Sequence, residues 1–423
     1  MSRAHTTHSE AGNRNRGIAA EELRRHNLAT VLERLHLSGP VSRSDLVSTT
    51  GLNRSTIADL IGELIALGLV EEGPGVSASG PGRPSPVVRP RPEGSVALAV
   101  ELSVDSIAVA TVGLGGRIYD QVRVARPRGR SSPQETVQDV ARLAGRLLDE
   151  LPDDHVMAGI GAGVVGVARR SDGFVHLAPN LGWRNVPLGA ILATELGSDV
   201  HVMVANEADL GALAEHRRGK GVGIGHLIYL SGEAGIGAGI IQDGKPMLGS
   251  AGFAGEVGHT LINPKGHKCR CGAIGCWETE AGEAALARLA GIPMTVVGLG
   301  ILETVKTLAA AGDQRTLDAL TEIGHWLGLG IANLVNIFNP ELVVLGGTYQ
   351  LLFSYLDSAV SAGASQQALA APASAVTITN SGLGEDAPLI GAAELVFSEL
   401  IADPAARAGS GGRRLSVEGK RGG

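Results

Sequence analysis

Cys269, Cys271 and Cys276 are the only cysteines in a chain of 423 residues, and they fall within eight positions. His259 stands ten residues before the first of them, which gives the pattern His-x9-Cys-x-Cys-x4-Cys. Three thiolates and one imidazole make a complete tetrahedral zinc shell. A shell filled by four protein ligands has no open position for water, so such a centre is structural and not hydrolytic. Gly266, Gly272 and Gly275 permit the tight turns that bring the sulfurs together. His267, two residues before Cys269, is a rival fourth ligand that spacing alone does not exclude. The competing reading is a chance cluster of three reduced core cysteines.

The whole chain limits what surrounds this loop. A hydrophobic share of 44% and a charged share of 19% allow a large core. The length points to two or more domains. No apolar run approaches the ~18 to 20 residues of a membrane span, and the first residues, MSRAHTTHSEAGNRNRG, lack the apolar centre of a secretory signal. The expectation is a cytoplasmic protein with no membrane partner, where thiols stay reduced and a disulfide framework is not expected.

The net charge of −7 is unevenly spread. From Arg14 to Pro92 ten Arg and no Lys face eight Asp or Glu, so this part carries +2 and the remainder −9. A weakly basic module on an acidic body follows. Leu28, Val31, Leu32 and Leu35 share one helical face. Ser42-Arg43-Ser44-Asp45 is a capping box that starts a second helix. Asn53 caps a third, with Ile57, Leu60, Ile61, Leu64 and Ile65 at helical spacing, and Gly68 ends it. A Gly/Pro-rich stretch, GPGVSASGPGRPSPVVR, then links two short strands. Three helices followed by strand, loop and strand make a winged helix-turn-helix, expected over 21–92.

In that fold the third helix enters the major groove of double-stranded DNA. Asn53, Arg54, Ser55 and Thr56 stand at its start, and Arg43 opens the second helix. These are residues that donate to base edges and phosphates. Arg83, held between Gly82 and Pro84, suits a narrow minor groove. The competing reading is a small protein-interaction domain with a polar turn.

From Ser95 the texture becomes mixed α/β. VALAVELSVDSIAVATVGLGGRIYDQVRV reads as three strands, followed by a helix near 133–150 and another strand. A second, similar series starts at HLIYLSGEAGIGAGIIQDGKPM. It contains a helix near 317–337, the strand Glu341–Leu345 and a last helix near 388–401. A duplicated two-lobed body over 93–402 is expected. One lobe would take about 93–205 plus 388–402 and the other about 206–387, with a ligand cleft between them. Residues 1–20 and 403–423 are expected to be disordered.

GEVGHTLINPKGHKCRCGAIGCWE, over 255–278, resembles the signature of the ROK family of repressors, open reading frames and sugar kinases. The resemblance extends through APNLGW (178–183), NEAD (206–209), GIGAG (235–239), VVLGG (343–347) and PLIGAA (388–393). It implies an actin-like, ribonuclease-H-like two-lobed fold with a sugar in its cleft. It implies His259, not His267, as the fourth zinc ligand. The sugar contacts it implies are Asn180, Asn206, Glu207, Glu256, His259 and Glu278. Carboxylates and amides in a dry cleft pair well with sugar hydroxyls. Glu256 precedes a ligand by three residues and Glu278 follows one by two. The metal would therefore hold in shape a loop that reads a sugar.

Two departures separate this chain from the family's kinases. Their first phosphate loop has the type Asp-x-Gly-Gly-Thr, and the matching stretch here is Glu101-Leu102-Ser103-Val104-Asp105, with both glycines lost. Their general base is an Asp after the Asn, and this chain has Glu207, resembling xylose-repressor-like members. Val165 also replaces a common Pro in the loop 161–166. The expectation is a non-enzymatic, sugar-responsive regulator, a repressor of carbohydrate genes. Its partners would be operator DNA and a monosaccharide or amino-sugar effector, and it would act as a homodimer or homotetramer. The alternative is an ATP-dependent sugar kinase with an appended DNA-binding domain.

Overall fold

The computed structural model describes residues 7–74, 85–126, 128, 131–197, 201–293 and 298–408, with side chains from residue 21 onward. Three helices, α1 (Thr7–Ser38), α2 (Arg43–Thr50) and α3 (Arg54–Ala66), open the chain. They pack with a small sheet of order β1-β3-β2, made of β1 (Val41–Ser42), β2 (Val70–Gly73) and β3 (Val87–Pro90). Leu28, Val31, Leu32 and Leu35 are buried against Leu46, Ile57, Leu60, Ile61 and Leu64. Both expected caps form: Asp45 N–H donates to Ser42 Oγ at 3.1 Å and Thr56 N–H to Asn53 Oδ1 at 2.9 Å. This is a winged helix-turn-helix with one extra short strand, β1.

Two five-stranded sheets form the body. The first contains β4 (Val96–Leu102), β5 (Ser106–Gly113), β6 (Arg117–Ala125), β7 (Met157–Val164) and, after a separate small sheet, β11 (Val202–Asn206). That small antiparallel sheet is β8 (Val167–Arg169), β9 (Phe174–Ala178) and β10 (Trp183–Pro187). The second large sheet contains β12 (Leu227–Gly232), β13 (Ile236–Gln242), β14 (Lys245–Pro246), β15 (Leu342–Gly347) and β16 (Thr377–Asn380). In the first, β11, β7 and β4 run parallel and β5 and β6 continue antiparallel. The second repeats the arrangement, with β16, β15 and β12 parallel and β13 and β14 antiparallel. The shared order is the expected duplication. Every residue of β4 and of β12 is buried, which is why these strands read as apolar runs without alternation.

Helices cover the sheets. α4 (Pro133–Asp149) and α5 (Leu188–Glu195) belong to the first lobe, and α6 (Glu207–Arg218) follows β11 directly. The second lobe adds α7 (Trp277–Ala281), α8 (Glu283–Ala290), α9 (Leu299–Ala310), α10 (Gln314–Phe338), α11 (Thr348–Leu351), α12 (Phe353–Gln367) and α13 (Ala370–Ala375). α14 (Ala387–Ala402) returns to the first sheet, and α15 (Pro404–Ala408) ends the described chain. The head is not an isolated bead. Its core runs on into Ala97 and Ala99 of β4 and Leu395, Val396 and Phe397 of α14. Of the residues expected to be disordered, 7–20 lie in α1 and 404–408 in α15. Residues 1–6 and 409–423 lie outside the described residues. Among the described residues no helix is long and apolar enough to cross a membrane.

Candidate functional site

His259 closes a single 3-10 turn, Val257–His259, and the cysteines lie on the loop leading into α7. One donor atom from each of His259, Cys269, Cys271 and Cys276 lies within 4.8 Å of the others. The sulfurs of Cys271 and Cys276 are 3.6 Å apart, and Cys269 Sγ is 3.7 Å from His259 Nδ1. Sulfurs held about 2.3 Å from a tetrahedral ion sit about 3.8 Å from one another. The four donors therefore stand at metal-binding separation and could hold an ion. His267 is exposed and lies outside the group, which resolves the rivalry for the fourth position. Two bridges, Leu261 with Cys276 and Lys268 with Ile274, brace the loop. Below it Trp277 is buried, and its Nε1–H donates to the Trp326 carbonyl at 2.9 Å, fixing the loop to α10.

Two carboxylates, Glu256 and Glu278, stand beside the donor group. Glu278 Oε1 accepts from the Cys269 thiol at 3.0 Å and lies 3.8 Å from His259 Nδ1. Its other oxygen lies against the β12–β13 turn, where a Cβ on Gly235 would come within 2.4 Å of it and push the Glu278 side chain aside. Desolvation raises the Glu256 carboxyl; His259 opposes the rise and Glu278 adds to it. Glu256, His259 and Glu278 thus form one electrostatic group. Asn206 caps α6, with Ala208 N–H donating to its Oδ1 at 2.8 Å, while its Nδ2 donates to the Gly166 carbonyl at 3.0 Å. Asn180 reaches the metal loop: its Oδ1 accepts from Arg270 Nη1 at 2.5 Å.

Three neighbours escaped sequence reasoning. Arg270 sits between two of the cysteines and crosses to Asn180. Asp209 is pushed up to about 7, first by burial and further by Glu256, while Arg170 opposes the rise. The signal for Asp209 was its place in the NEAD motif; for Arg270 it was its place inside the ligand spacing. Nothing in the sequence singled out Arg170.

Glu207 faces a different environment. A cavity of about 350 Å³ opens between the lobes beside it. Seven carboxylates line the cavity (Glu101, Asp105, Glu207, Glu233, Glu283, Glu303 and Glu385) against Arg123, Arg128 and Lys306. Glu207 is buried, and its Oε2 accepts from Ser231 Oγ at 3.1 Å. Burial, then Glu233 and Glu101, hold its carboxyl far above the usual range. Glu233 is pushed up to about 7, again by burial first and Glu101 second. Arg128 makes paired contacts of 2.6 to 2.7 Å with Asp105 and of 2.6 Å with Glu283, joining the lobes. Ser103, in the stretch that departs from a phosphate loop, donates to Glu233 at 3.0 Å. Ser103 and Asp105 are thus engaged by Glu233 and Arg128 in the stretch where the family's kinases have a glycine-rich phosphate loop.

On the head, Asn53, Arg54 and Ser55 are exposed at the start of α3. Asn53 Oδ1 is engaged by Thr56 N–H and by Ser55 Oγ at 2.7 Å. Arg54 has no partner among the described residues. Arg43 is tied to Glu72 on β2, at 2.5 Å from Nε and 2.8 Å from Nη2, which leaves the Nη1 donors for any further contact. Arg83 lies outside the described residues.

Head, duplicated sheets and a metal-ready cleft loop together define a two-lobed actin-like α/β protein with a winged helix-turn-helix. The family described as ROK matches residues 97–399, and the chain belongs to the ROK family. It is 32% identical to a protein named xylose repressor from Caldicellulosiruptor bescii, over 90% of this chain and 98% of that one. It is 30% identical to a glucokinase from Halalkalibacterium halodurans, over 71% of this chain and 94% of the other. A crystal structure of a ROK family transcriptional regulator, described as a homologue of E. coli MLC protein, superposes with a TM-score of 0.75 at 26% identity, covering 92% of this chain and 99% of that one.

Proposed function

We propose that this protein is a sugar-responsive DNA-binding repressor of carbohydrate uptake or catabolism genes, acting in the cytoplasm as a homodimer or homotetramer. The observation that carries this reading is the exposed α3 start, with Arg54 unpartnered among the described residues, on a ROK body whose stretch Glu101–Asp105 lacks both glycines of a phosphate loop. Named repressor relatives match this chain nearly end to end, whereas the glucokinase matches 71% of it. His259, Cys269, Cys271 and Cys276 would hold zinc, whose chemistry here is structural: it fixes a loop. Asn180, Asn206, Glu207, Glu256, His259 and Glu278 would contact the effector, and the relatives' name makes D-xylose the first sugar to test. Closure of the lobes on a sugar would alter the spacing of two heads on a palindromic site.

Selection from a random duplex pool tests the DNA arm. The full chain should enrich a palindromic site, and Arg54→Ala should weaken binding to it by roughly 1 to 3 kcal/mol, the value of one bidentate base contact. A pool that stays unenriched would remove the DNA-binding reading.

The glucokinase relatives and the retained Gly235–Gly239 turn favour a second reading, sugar phosphorylation. The carboxylate-lined cavity and the Ser231-bonded Glu207 oppose it. With ATP and a panel of monosaccharides, ADP release should stay below about 0.1 per second, slow for an enzyme. Faster, sugar-dependent turnover would establish the kinase.

A further inference from the structure

Glu394 is a buried carboxylate far from the effector contacts and from the DNA-reading helix. It projects from α14 and is 1% exposed. Its Oε1 accepts from Arg218 Nε, and its Oε2 accepts from Arg217 Nη1 at 3.2 Å. His36, near the end of α1 in the head, brings Nε2 to 3.0 Å from Oε2. The Gly115 N–H donates to His36 Nδ1 at 3.0 Å, and Arg218 Nη2 comes to 2.7 Å from the Nε2 that faces Glu394. Burial holds His36 below its usual range, consistent with a neutral ring. Arg218 also donates to the His36 carbonyl at 3.3 Å and to the Gly115 carbonyl at 3.2 Å. Arg217 further lies 3.8 Å from Glu33 of α1. One carboxylate therefore gathers the head, α6, α14 and the β5–β6 turn.

Arg217 and Arg218 are the last two residues of α6, and Glu207 is its first. Twelve residues at 1.5 Å each make a rod of about 18 Å. At one end are Asn206 and Glu207, assigned above to the effector; at the other is the joint to the head. The rod has little freedom to bend away from α14. Gly391 packs so closely on it that a Cβ there would lie 2.0 Å from the Leu210 carbonyl oxygen. A shift of α6 must then move α14 or slide past it as a unit, and either changes what Glu394 offers to His36. Tightly packed elements of this kind switch between discrete arrangements instead of deforming smoothly.

We propose that α6 carries effector occupancy to the DNA head, and that the cluster of Glu394, Arg217, Arg218 and His36 is the joint through which it acts. The proposal rests on the effector site assigned above. Closure of the cleft displaces the first turn of α6, the two arginines move with its last turn, and α1 follows through His36 and Glu33. Arg217 and Glu394 are positioning residues: neither touches the sugar or the DNA.

The test uses the full chain, its selected operator and D-xylose or whichever monosaccharide alters the parent's operator binding. Operator affinity is measured with and without the sugar, and sugar affinity by calorimetry without DNA. In Arg217→Met and Glu394→Gln both separate affinities should stay within about threefold of the parent, whereas a sugar effect of tenfold or more in the parent should fall below about twofold, the scale of typical coupling between sites. Hydrogen exchange supplies a second readout. Sugar should change protection in 207–218 and 28–38 together in the parent, and only near 207–210 in the variants. Should Glu394→Gln fail to fold, Arg217→Met, at the rim of the cluster, carries the test. Variants that respond to sugar as fully as the parent overturn the joint and leave the sugar-responsive reading intact. A parent that binds operator but ignores every sugar overturns both.

Discussion

Cys271→Ser should empty the metal loop and lower the stability of the whole second lobe. Cys271 is the exposed sulfur of the four-donor group, while Cys269 and Cys276 are buried. Its loss therefore leaves the hydrophobic core intact and isolates the effect of the ligand. Metal held only by the folded state contributes about 4 kcal/mol when the free ion exceeds its Kd about 1,000-fold. A loss of that size should appear as a lower unfolding midpoint, and chelation of the parent should reproduce it. The loop's backbone hydrogen bonds, such as Cys269 N–H to the Ala273 carbonyl at 2.8 Å, close its turns but do not link the four donor side chains to one another. Its two bridges pair single residues, and Glu278 is anchored through Cys269 Sγ. Effector binding should fall with metal content, because Glu256, His259 and Glu278 are placed by the same loop. Elemental analysis should find about one zinc per parent chain and almost none in the variant. A parent holding less than about half an equivalent, yet folding normally, would show that the cysteines are core residues and nothing more.

The metal loop was readable in the sequence because ligand chemistry is local. Four donors within eighteen positions, separated by glycines, leave few folds of the loop open. The head was readable for a similar reason: Ser42 and Asn53 announce helix starts and the leucine spacing announces the buried face, and the observed caps and core agree. The duplication was visible in two runs of apolar strands, since central strands buried on both faces lose the polar alternation that hides them. The small sheet β8-β9-β10 and α5 were not legible. Their strands of three to five residues mix exposed and buried positions without period. Contacts between elements distant in the chain were invisible for a different reason. Arg270 with Asn180, Arg128 with Asp105 and Glu283, and His36 with Glu394 join residues 23 to 358 positions apart. No periodicity records such pairs.

Glu256→Gln should abolish the sugar response while sparing the DNA head. The side chain sits among Asp209, His259 and Glu278, and its charge is what that setting disfavours: desolvation raises the carboxyl and Glu278 raises it further. A carboxylate retained against such a cost is suited to accept from sugar hydroxyls, and the amide that replaces it exchanges one acceptor for a donor. Hydrogen bonds to charged groups contribute about 1.5 to 3 kcal/mol, so effector affinity should fall about 10- to 150-fold. The variant is nearly the same size, and Glu256 is no part of the core that holds the winged helix, so operator affinity without sugar should match the parent's.

The most direct test of the central claim is a titration of labelled operator with the parent and with Glu256→Gln, each with and without a monosaccharide from a panel led by D-xylose, held at about ten times the parent's Kd so that the weakened variant stays largely unoccupied. The account predicts that sugar changes the parent's operator affinity at least about tenfold, the scale of measured coupling between sites, and leaves the Glu256→Gln curve where it was. A parent whose operator affinity ignores every sugar, or a Glu256→Gln variant that responds as the parent does, would contradict it.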